Sequence, residues 1–231
     1  MDKRFKLAIA CLLLVVSALF FCMVAVVDVQ AIGPNNTEVG LAGLNKMVFD
    51  KLGTNFTVYK ITEYAGYLAL LTCPCFALLG LLQLIKRKSL RKVDGQIYLV
   101  ACLYVVVGMI YVFFEKIVVN YRPVIVPGET ELEASFPSSH TLMALTVLVS
   151  AVILLKDYIK SKPVRLILSV GLSGLAAVIV IGRLISGVHW ITDIIASVLF
   201  SVTLLAFFSY AVTAVREGKT EVPDYPALPE N

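Results

Sequence analysis

Six long apolar stretches are the feature that most constrains how this chain can fold. A helix that crosses the roughly 30 Å hydrocarbon core of a membrane needs about 20 mostly apolar residues. Such stretches lie at about residues 7–27, 61–85, 97–119, 137–157, 165–186 and 190–215. Lipid offers no partner to unpaired backbone groups, so each stretch is predicted to be a helix. The predicted fold class is all-α: a polytopic membrane protein with six transmembrane helices in a single domain over 1–231.

The composition also indicates a membrane protein. Of the 231 residues, 59% are hydrophobic and only 16% are charged. Soluble domains have about 45–50% apolar and about 25% charged residues. The formal net charge of +4 does not indicate nucleic-acid binding, because the positive residues cluster by loop and not on one face. We therefore expect no nucleic-acid partner.

The loops divide by charge into two groups. Basic residues concentrate before the first apolar stretch and after the second and fourth: Lys3, Arg4, Lys6, Lys86, Arg87, Lys88, Arg91, Lys92, Lys156, Lys160, Lys162 and Arg165. The positive-inside rule places such loops in the cytoplasm. Both termini, including a tail at 216–231, are then predicted to be cytoplasmic. The loops after the first, third and fifth stretches are predicted to be extracytoplasmic.

Two further predictions concern the first third of the chain. Residues 29–31 resemble a signal-peptide cleavage site, but the apolar run before them exceeds the usual core of about 7–15 residues, which favours a retained anchor helix. Apolar residues then recur at helical spacing between Leu41 and Leu52. This pattern predicts an amphipathic helix at about 41–53, lying along the outer membrane interface.

The five cysteines all fall inside predicted spans. The segment Cys73-Pro74-Cys75 could indicate a metal or redox site, but no histidine or acidic neighbour completes a zinc-binding set. Cysteine packs as a small apolar residue, and proline bends a membrane helix. We therefore interpret this segment as structural and expect no metal site.

Three polar segments interrupt the apolar pattern on the predicted extracytoplasmic side. They are Glu115–Pro123, Phe136–His140 and Gly182–Asp193. The only two histidines of the chain, His140 and His189, both lie in these segments. Ionisable residues at membrane depth are candidates for function. Three such segments at one depth predict a common site.

The third segment carries a histidine and a carboxylate at helical spacing. Asp193 follows His189 by four residues, which places both side chains on one face of a helix. A carboxylate there can accept the N–H of one imidazole nitrogen and leave the other nitrogen with a free lone pair. The pair suits a nucleophilic histidine or a general base, and a helix cap is the structural alternative.

Cations and a predicted helix start add a pattern suited to phosphate. Arg122, Lys116 and Arg183 lie in the first and third segments. Arginine donates in a planar fork that fits phosphate oxygens, although a lone arginine or lysine more often snorkels to the interface. Ser138 and Ser139 suit the start of the fourth helix, whose free N–H groups attract phosphate; simple capping is the alternative.

The motifs resemble those of a known family. The sequences YRP at 121–123, PSSH at 137–140 and R-x5-H-x3-D at 183–193 resemble the three signature motifs of the PAP2 family. These are the type 2 phosphatidic acid phosphatases, related to vanadium haloperoxidases. The resemblance implies metal-independent hydrolysis of a lipid phosphate monoester or pyrophosphate. The substrate would be of the phosphatidic acid, phosphatidylglycerol phosphate or polyprenyl pyrophosphate class.

The resemblance also implies a role for each site residue. His189 would attack phosphorus and form a phosphohistidine, Asp193 would orient it, and His140 would protonate the leaving oxygen. Water would then release phosphate at a site that faces the extracytoplasmic side. The nonbridging oxygens would be bound by Arg122, Arg183, Lys116, Ser138 and Ser139. No cofactor and no metal are implied.

Three positions depart from the family pattern. Ser139 stands where the family usually has glycine, and Gly182 stands where it usually has serine. The family lysine normally lies seven positions before the arginine, where this chain has Glu115. Lys116 lies six positions before Arg122, and a shift of one residue turns a helical side chain by about 100°.

Two alternatives to hydrolysis stay open at this point. The departures motivate a noncatalytic PAP2-like protein that binds or translocates lipid, whereas the intact His140, His189 and Asp193 argue against it. Transfer of the phosphoryl group or headgroup to a lipid alcohol is the other alternative. In every case the expected partners are a lipid phosphate and membrane lipids, and no oligomeric state is predicted.

Overall fold

The chain is helical along most of its length. The computed structural model describes residues 3–220. The helices are α1 (Lys3–Val26), α2 (Ala42–Leu52), α3 (Phe56–Leu70), α4 (Thr72–Arg87), α5 (Gly95–Lys116), α6 (Ser139–Tyr158), α7 (Lys162–Ile185) and α8 (Ile191–Thr220). Within these residues, extended pairing is limited to two isolated bridges. Of the predicted tail at 216–231, residues 216–220 belong to α8 and the rest lies outside the described residues.

Six helical segments in the described part of the chain are long and apolar enough to cross a membrane. Five are single helices, and the sixth is the 32-residue segment Phe56–Arg87, which contains α3 and α4. Their outer faces are apolar; Leu166 and Ile167 on α7, for example, are 65% and 70% exposed. This confirms the predicted all-α, six-span fold class of an integral membrane protein.

The second span is interrupted at Leu71, between α3 and α4. Pro74 is the third residue of α4. Proline has no N–H to donate to the carbonyl of Leu70, and its ring clashes with that carbonyl. Because the helix cannot continue through this point, α3 ends at Leu70 and α4 begins at Thr72. The cysteines on either side of Pro74 are free thiols.

α6 lies at the centre of the bundle, where it packs against α3, α5, α7 and α8. One apolar cluster joins it to α3 and α7 through Ala69, Leu148 and Ile179. A second cluster joins it to α5 and α8 and includes Leu154 and Phe208. The N-terminus of α6, which carries the second polar segment, is therefore surrounded by the helices that carry the other two.

α2 is fixed to the same end of the bundle by Asn45, which is completely buried. The Asn45 amide donates to the Gly40 carbonyl at 2.8 Å and to the Thr192 hydroxyl at 3.0 Å. Its side-chain oxygen accepts the Thr192 N–H at 3.2 Å. These bonds attach the first interhelical loop to the first turn of α8.

Two glycines of the third polar segment allow other segments of the same chain to approach closely. Gly187 has φ +64°, and a Cβ at this position would lie 1.9 Å from the Gly53 carbonyl oxygen. A Cβ on Gly182 would lie 2.3 Å from Cγ2 of Thr62 on α3. The Thr62 methyl group thus occupies the space that a side chain at position 182 would need. A serine at this position, as in the family pattern, would clash with this methyl group.

Gly182→Ala is expected to destabilise the protein by about 1–3 kcal/mol, because it overpacks the contact with Thr62. The measurement is the apparent Tm of the purified protein in detergent. Gly174→Ala is the control on the same helix, since nothing lies within 4 Å of a Cβ added there. That control should be neutral or slightly stabilising, because alanine is the better helix former.

Thr62→Ser separates overpacking from other effects of the change at Gly182. It removes the obstructing methyl group and keeps the hydroxyl that donates to the Val58 and Tyr59 carbonyls at 3.0 and 2.8 Å. The double variant should recover most of the lost Tm. A double variant as unstable as Gly182→Ala alone would contradict this explanation.

Candidate active site

The first two polar segments are held side by side by backbone pairing. Tyr121 and Ala134 form an antiparallel bridge. The Ser135 N–H donates to the Asn120 carbonyl at 2.9 Å. This pairing closes the loop at 122–133 and brings two polar side chains, Asn120 and Ser135, next to the third segment.

Asp193 is completely buried and accepts hydrogen bonds from all three regions. Its Oδ1 accepts from the Asn120 amide at 3.2 Å. Its Oδ2 accepts from the Trp190 N–H at 2.9 Å and from the Ser135 hydroxyl. Trp190 immediately precedes α8 and Asp193 is the third residue of that helix, so the bond to Trp190 is half of a capping box. Asp193 therefore caps α8 and also joins the three segments.

His189 is held through its Nδ1 atom. Nδ1 lies 3.1 Å from the Ser135 carbonyl oxygen, 3.2 Å from the Ser135 hydroxyl and 3.7 Å from Asp193 Oδ2. The nearest acceptor for an Nδ1–H is the Ser135 carbonyl. Asp193 lies beyond hydrogen-bond distance of Nδ1, and the Ser135 hydroxyl, which donates to Asp193, connects the two side chains. Nε2 is buried and makes no hydrogen bond within residues 3–220.

The surroundings of His189 favour its neutral form. Burial lowers the pKa of His189 well below its usual value, and the positive charges of Arg122 and Arg183 lower this pKa further. The imidazole is therefore neutral at physiological pH. With the proton on Nδ1, directed at Ser135, Nε2 has the free lone pair that a nucleophile needs.

A polar cavity of about 510 Å³ adjoins this end of α6. It is lined by Arg122, Ser139, His140, Tyr59, Tyr111, Tyr121 and four glutamates, Glu63, Glu115, Glu129 and Glu133, with Val118, Leu132 and Ala134. Among residues 3–220, no three His, Cys, Asp or Glu side chains form a group that could hold a metal ion.

A second, much smaller cavity lies beside the polar cavity and is lined by His189. Its volume is about 10 Å³, and it shares Tyr111, Glu115, Ala134 and Ser139 with the larger one. A space of this size holds about one water molecule. Side chains therefore separate His189 from the larger cavity.

The two arginines are buried, and several of their donors make no hydrogen bond. Arg122 is 8% exposed, and its Nε lies 2.8 Å from Glu133 Oε2. This ion pair lacks hydrogen-bond geometry, so Nε and Nη1 make no hydrogen bond within the described residues. Arg183 is completely buried, with its guanidinium 4.8 Å from the centre of the Tyr59 ring. None of its three side-chain nitrogens forms a hydrogen bond in the same part of the chain. Such donors suit an anion with several oxygens.

His140 lies in the first turn of α6 and lines the polar cavity. Its ring packs on α3 at Gly66, where a Cβ would lie 2.8 Å from the imidazole Cδ2. The ring also borders an apolar cavity of about 230 Å³, which is lined by Leu70 and Met143 among others. His140 therefore stands between a polar and an apolar space.

Of the remaining predicted site residues, Ser138, Ser139 and Lys116, only Ser139 lines the polar cavity. Ser138 is completely buried, and its hydroxyl lies 3.1 Å from that of Thr141. Lys116 is the exposed last residue of α5 and lines neither site cavity, whereas Glu115 lines both. α5 remains helical through Lys116, so the register predicted from the sequence directs the carboxylate and not the amine to the site.

Comparison with known proteins identifies the family. The model of the PAP2 superfamily matches residues 95–217, which is more than half of the chain. The chain belongs to the PAP2 superfamily. Its fold is similar to the crystal structure of a transmembrane PAP2-type phosphatidylglycerolphosphate phosphatase from Bacillus subtilis, with a TM-score of 0.59 and 18% identity over 94% of this chain and 98% of the other. No curated protein sequence matches the chain. It is a membrane phosphatase of the PAP2 type.

Ser135 and Asn120 are part of this PAP2 site, although the sequence motifs did not assign them a role. Asn120 stands within the first polar segment, but Ser135 precedes the second. The contact of Ser135 with His189 uses a backbone carbonyl as well as a hydroxyl. A backbone acceptor has no residue-type signature, so only the nearness of Ser135 to the PSSH motif could have indicated it.

The contribution of His189 to the stability of this PAP2 protein should fall as the pH drops through about 6.5, the pKa of an unfolded histidine. His189 has a lower pKa when folded, so protonation favours the unfolded state. In His189→Gln, the apparent Tm should fall less between about pH 7.5 and about pH 5.5 than in the wild type. An identical fall in both proteins would contradict the buried, neutral state of His189.

Ser135→Ala removes the hydroxyl between Asp193 and His189 but keeps the carbonyl that accepts the Nδ1–H. We expect kcat for phosphate release to fall about 10- to 100-fold while KM changes little, because the imidazole is less well positioned. Ser197→Ala is the control. The Ser197 hydroxyl is also buried and donates to the carbonyls of Ser138 and Asp193 at 2.9 and 2.7 Å, away from the imidazole. Equal losses in both variants would contradict the positioning role.

Proposed function

We propose that this protein hydrolyses a lipid phosphate monoester or pyrophosphate through a phosphohistidine on His189. The observation that carries the proposal is the state of His189: Nδ1 is held by Ser135, while Nε2 is buried and makes no hydrogen bond within residues 3–220. Arg122 and Arg183 lie close enough to influence its charge. A neutral imidazole held in this way beside two cations is suited to attack a phosphate group.

In the first step, Nε2 of His189 attacks phosphorus and the bond from phosphorus to the leaving oxygen breaks. Arg122 and Arg183 stabilise the charge on the nonbridging oxygens, helped by the donors of Ser139 at the start of α6. His140 lines the same cavity. In its protonated form, which the negative charge of a bound phosphate stabilises, it donates a proton to the leaving oxygen and becomes neutral. The products of this step are the lipid alcohol, or lipid monophosphate, and the phosphohistidine.

In the second step, a water molecule attacks the phosphorus on the side from which the leaving group departed. His140 takes a proton from this water, the phosphorus–nitrogen bond breaks, and its electron pair returns to Nε2 of His189. Inorganic phosphate is released and both imidazoles return to their starting protonation states. Asp193 and Ser135 stabilise His189 while its ring carries positive charge.

The neighbouring apolar cavity supports a lipid as the substrate. This space of about 230 Å³ shares Tyr111, Ser139 and His140 with the polar cavity. A phosphate in the polar cavity would thus leave the first part of a hydrocarbon chain in apolar surroundings. The small cavity beside His189, about 10 Å³ in volume, does not hold a phosphate group. Side chains such as Glu115 must therefore move when the substrate binds.

We place the site on the extracytoplasmic side, with both termini in the cytoplasm. The basic loops after α4 and α6 lie at the opposite ends of the helices that carry the site. The positive-inside rule supports a cytoplasmic location for those loops.

The function is tested by incubating the purified protein in detergent micelles with phosphatidic acid, phosphatidylglycerol phosphate or a polyprenyl pyrophosphate, in the presence of a chelator. We expect phosphate release from at least one of them and no measurable release by His189→Ala. Labelled substrate should leave an acid-labile phosphoenzyme in the wild type only. Full activity of His189→Ala would rule out this nucleophile. A phosphorylated lipid product in place of free phosphate would indicate transfer.

The same assay separates the roles of the first-segment cations. Arg122→Ala should reduce kcat/KM by about 100-fold or more, because it removes a buried charge from the phosphate. Lys116→Ala should cause a much smaller loss, since Lys116 lies outside the site cavities. A larger loss in Lys116→Ala than in Arg122→Ala would contradict this assignment.

A further inference from the structure

The loop between α5 and α6 brings a carboxylate against a predicted phosphate ligand. Glu133 Oε2 lies 2.8 Å from Arg122 Nε. The two side chains are buried to different extents, 10% of the Arg122 side chain being exposed and 41% of the Glu133 side chain. The arginine is thus largely enclosed by protein, whereas the carboxylate is partly exposed to solvent.

Glu133 does not satisfy the arginine that it neutralises. Both Nε and Nη1 of Arg122 are buried and make no hydrogen bond within residues 3–220. A buried donor without an acceptor is costly, and charge-assisted bonds to phosphate are strong. Replacing the carboxylate with a phosphate of several oxygens would allow both donors to form hydrogen bonds. The exchange therefore favours a ligand that offers more acceptors than Glu133 does.

The backbone keeps Glu133 beside Arg122 whether or not the side chains are paired. The Arg122 N–H donates to the Glu133 carbonyl at 3.1 Å, and the adjacent residues Tyr121 and Ala134 form a bridge. A carboxylate held this way has a high effective concentration at the arginine. It competes with every anion that approaches Arg122.

We propose that Glu133 is a specificity-determining residue that occupies the phosphate position on Arg122 until a substrate displaces it. This inference rests on the proposed function, in which Arg122 binds the substrate's phosphate. A terminal phosphate carries up to two charges and three free oxygens, and it displaces the carboxylate. A phosphodiester has one charge and two free oxygens, like the carboxylate itself, and gains little from the exchange.

The consequence is that the site discriminates against phosphodiester lipids. Most membrane phospholipids are phosphodiesters and far outnumber any lipid monophosphate, so an unprotected Arg122 would be occupied by them. The same competition weakens the binding of the inorganic phosphate product and speeds its release. Both effects depend on the pairing of Glu133 with Arg122, and the other three cavity glutamates form no ion pair with Arg122 in the described part of the chain.

The test compares wild type, Glu133→Gln and Glu129→Gln in detergent. Glu129 lines the same cavity but is not paired with Arg122. Inorganic phosphate binding is measured by calorimetry, and inhibition of turnover is measured with phosphatidylglycerol, a phosphodiester. Glu133→Gln should bind phosphate about tenfold more tightly and be inhibited by phosphatidylglycerol at about tenfold lower concentration, because one competing charge is removed. Glu129→Gln should differ from wild type by less than about twofold in both measurements.

Equal or weaker phosphate binding by Glu133→Gln would overturn the proposal, as would equal changes in both variants. Glu133→Asp provides a second variant that keeps the charge but shortens its reach to Arg122. It should resemble Glu133→Gln if pairing matters, and a wild-type affinity for phosphate in this variant would also overturn the proposal. The calorimetric measurement does not depend on turnover. An absence of turnover with normal phosphate binding would therefore count against the proposed function and not against the role of Glu133.

Discussion

The buried carboxylate of Asp193 determines how the polar end of this molecule is built. A buried charge without partners would cost several kcal/mol. Here the Asn120 amide, the Ser135 hydroxyl and the Trp190 N–H all donate to it. These donors come from the beginning of the loop after α5, the approach to α6 and the residue before α8. The Asn120 and Ser135 donors reach Asp193 only when their segments pack against α8, so this packing also assembles the site.

The apolar bundle gives this polar cluster its chemical character. Helices that pack for membrane insertion also exclude water from His189 and Arg183, which keeps the imidazole neutral and the guanidinium poorly solvated. In the proposed function, a bound phosphate supplies the acceptors that these buried donors lack. In our proposal Glu133, which is paired with Arg122, acts in the opposite sense and restrains anion binding. The site thus combines buried arginine donors that attract an anion with a carboxylate that competes for one of them.

The sequence predicted those features that depend on residue type and local period. Apolar length was sufficient for the six spans, and the scarcity of histidine identified His140 and His189. The sequence did not predict that Ser135 would lie between His189 and Asp193, because a contact through a backbone carbonyl does not depend on residue type. The fit of Thr62 against Gly182 also depends on tertiary packing. The choice between Glu115 and Lys116 required knowing that α5 continues unbroken to its last residue.

The N-terminal part of the chain is bonded to the third polar segment, at Gly182–Asp193, and therefore helps to shape the site. The matched family region begins at residue 95, yet Asn45 bonds to Thr192 and the Asn55 N–H donates to the Ser186 carbonyl at 2.9 Å. The N-terminal part of the chain thus packs against the segment that carries His189 and Asp193 and helps to hold it in place. Tyr59 and Glu63, which precede residue 95, also line the polar cavity. Substitutions in this part of the chain would therefore reshape the pocket while every signature residue stayed the same.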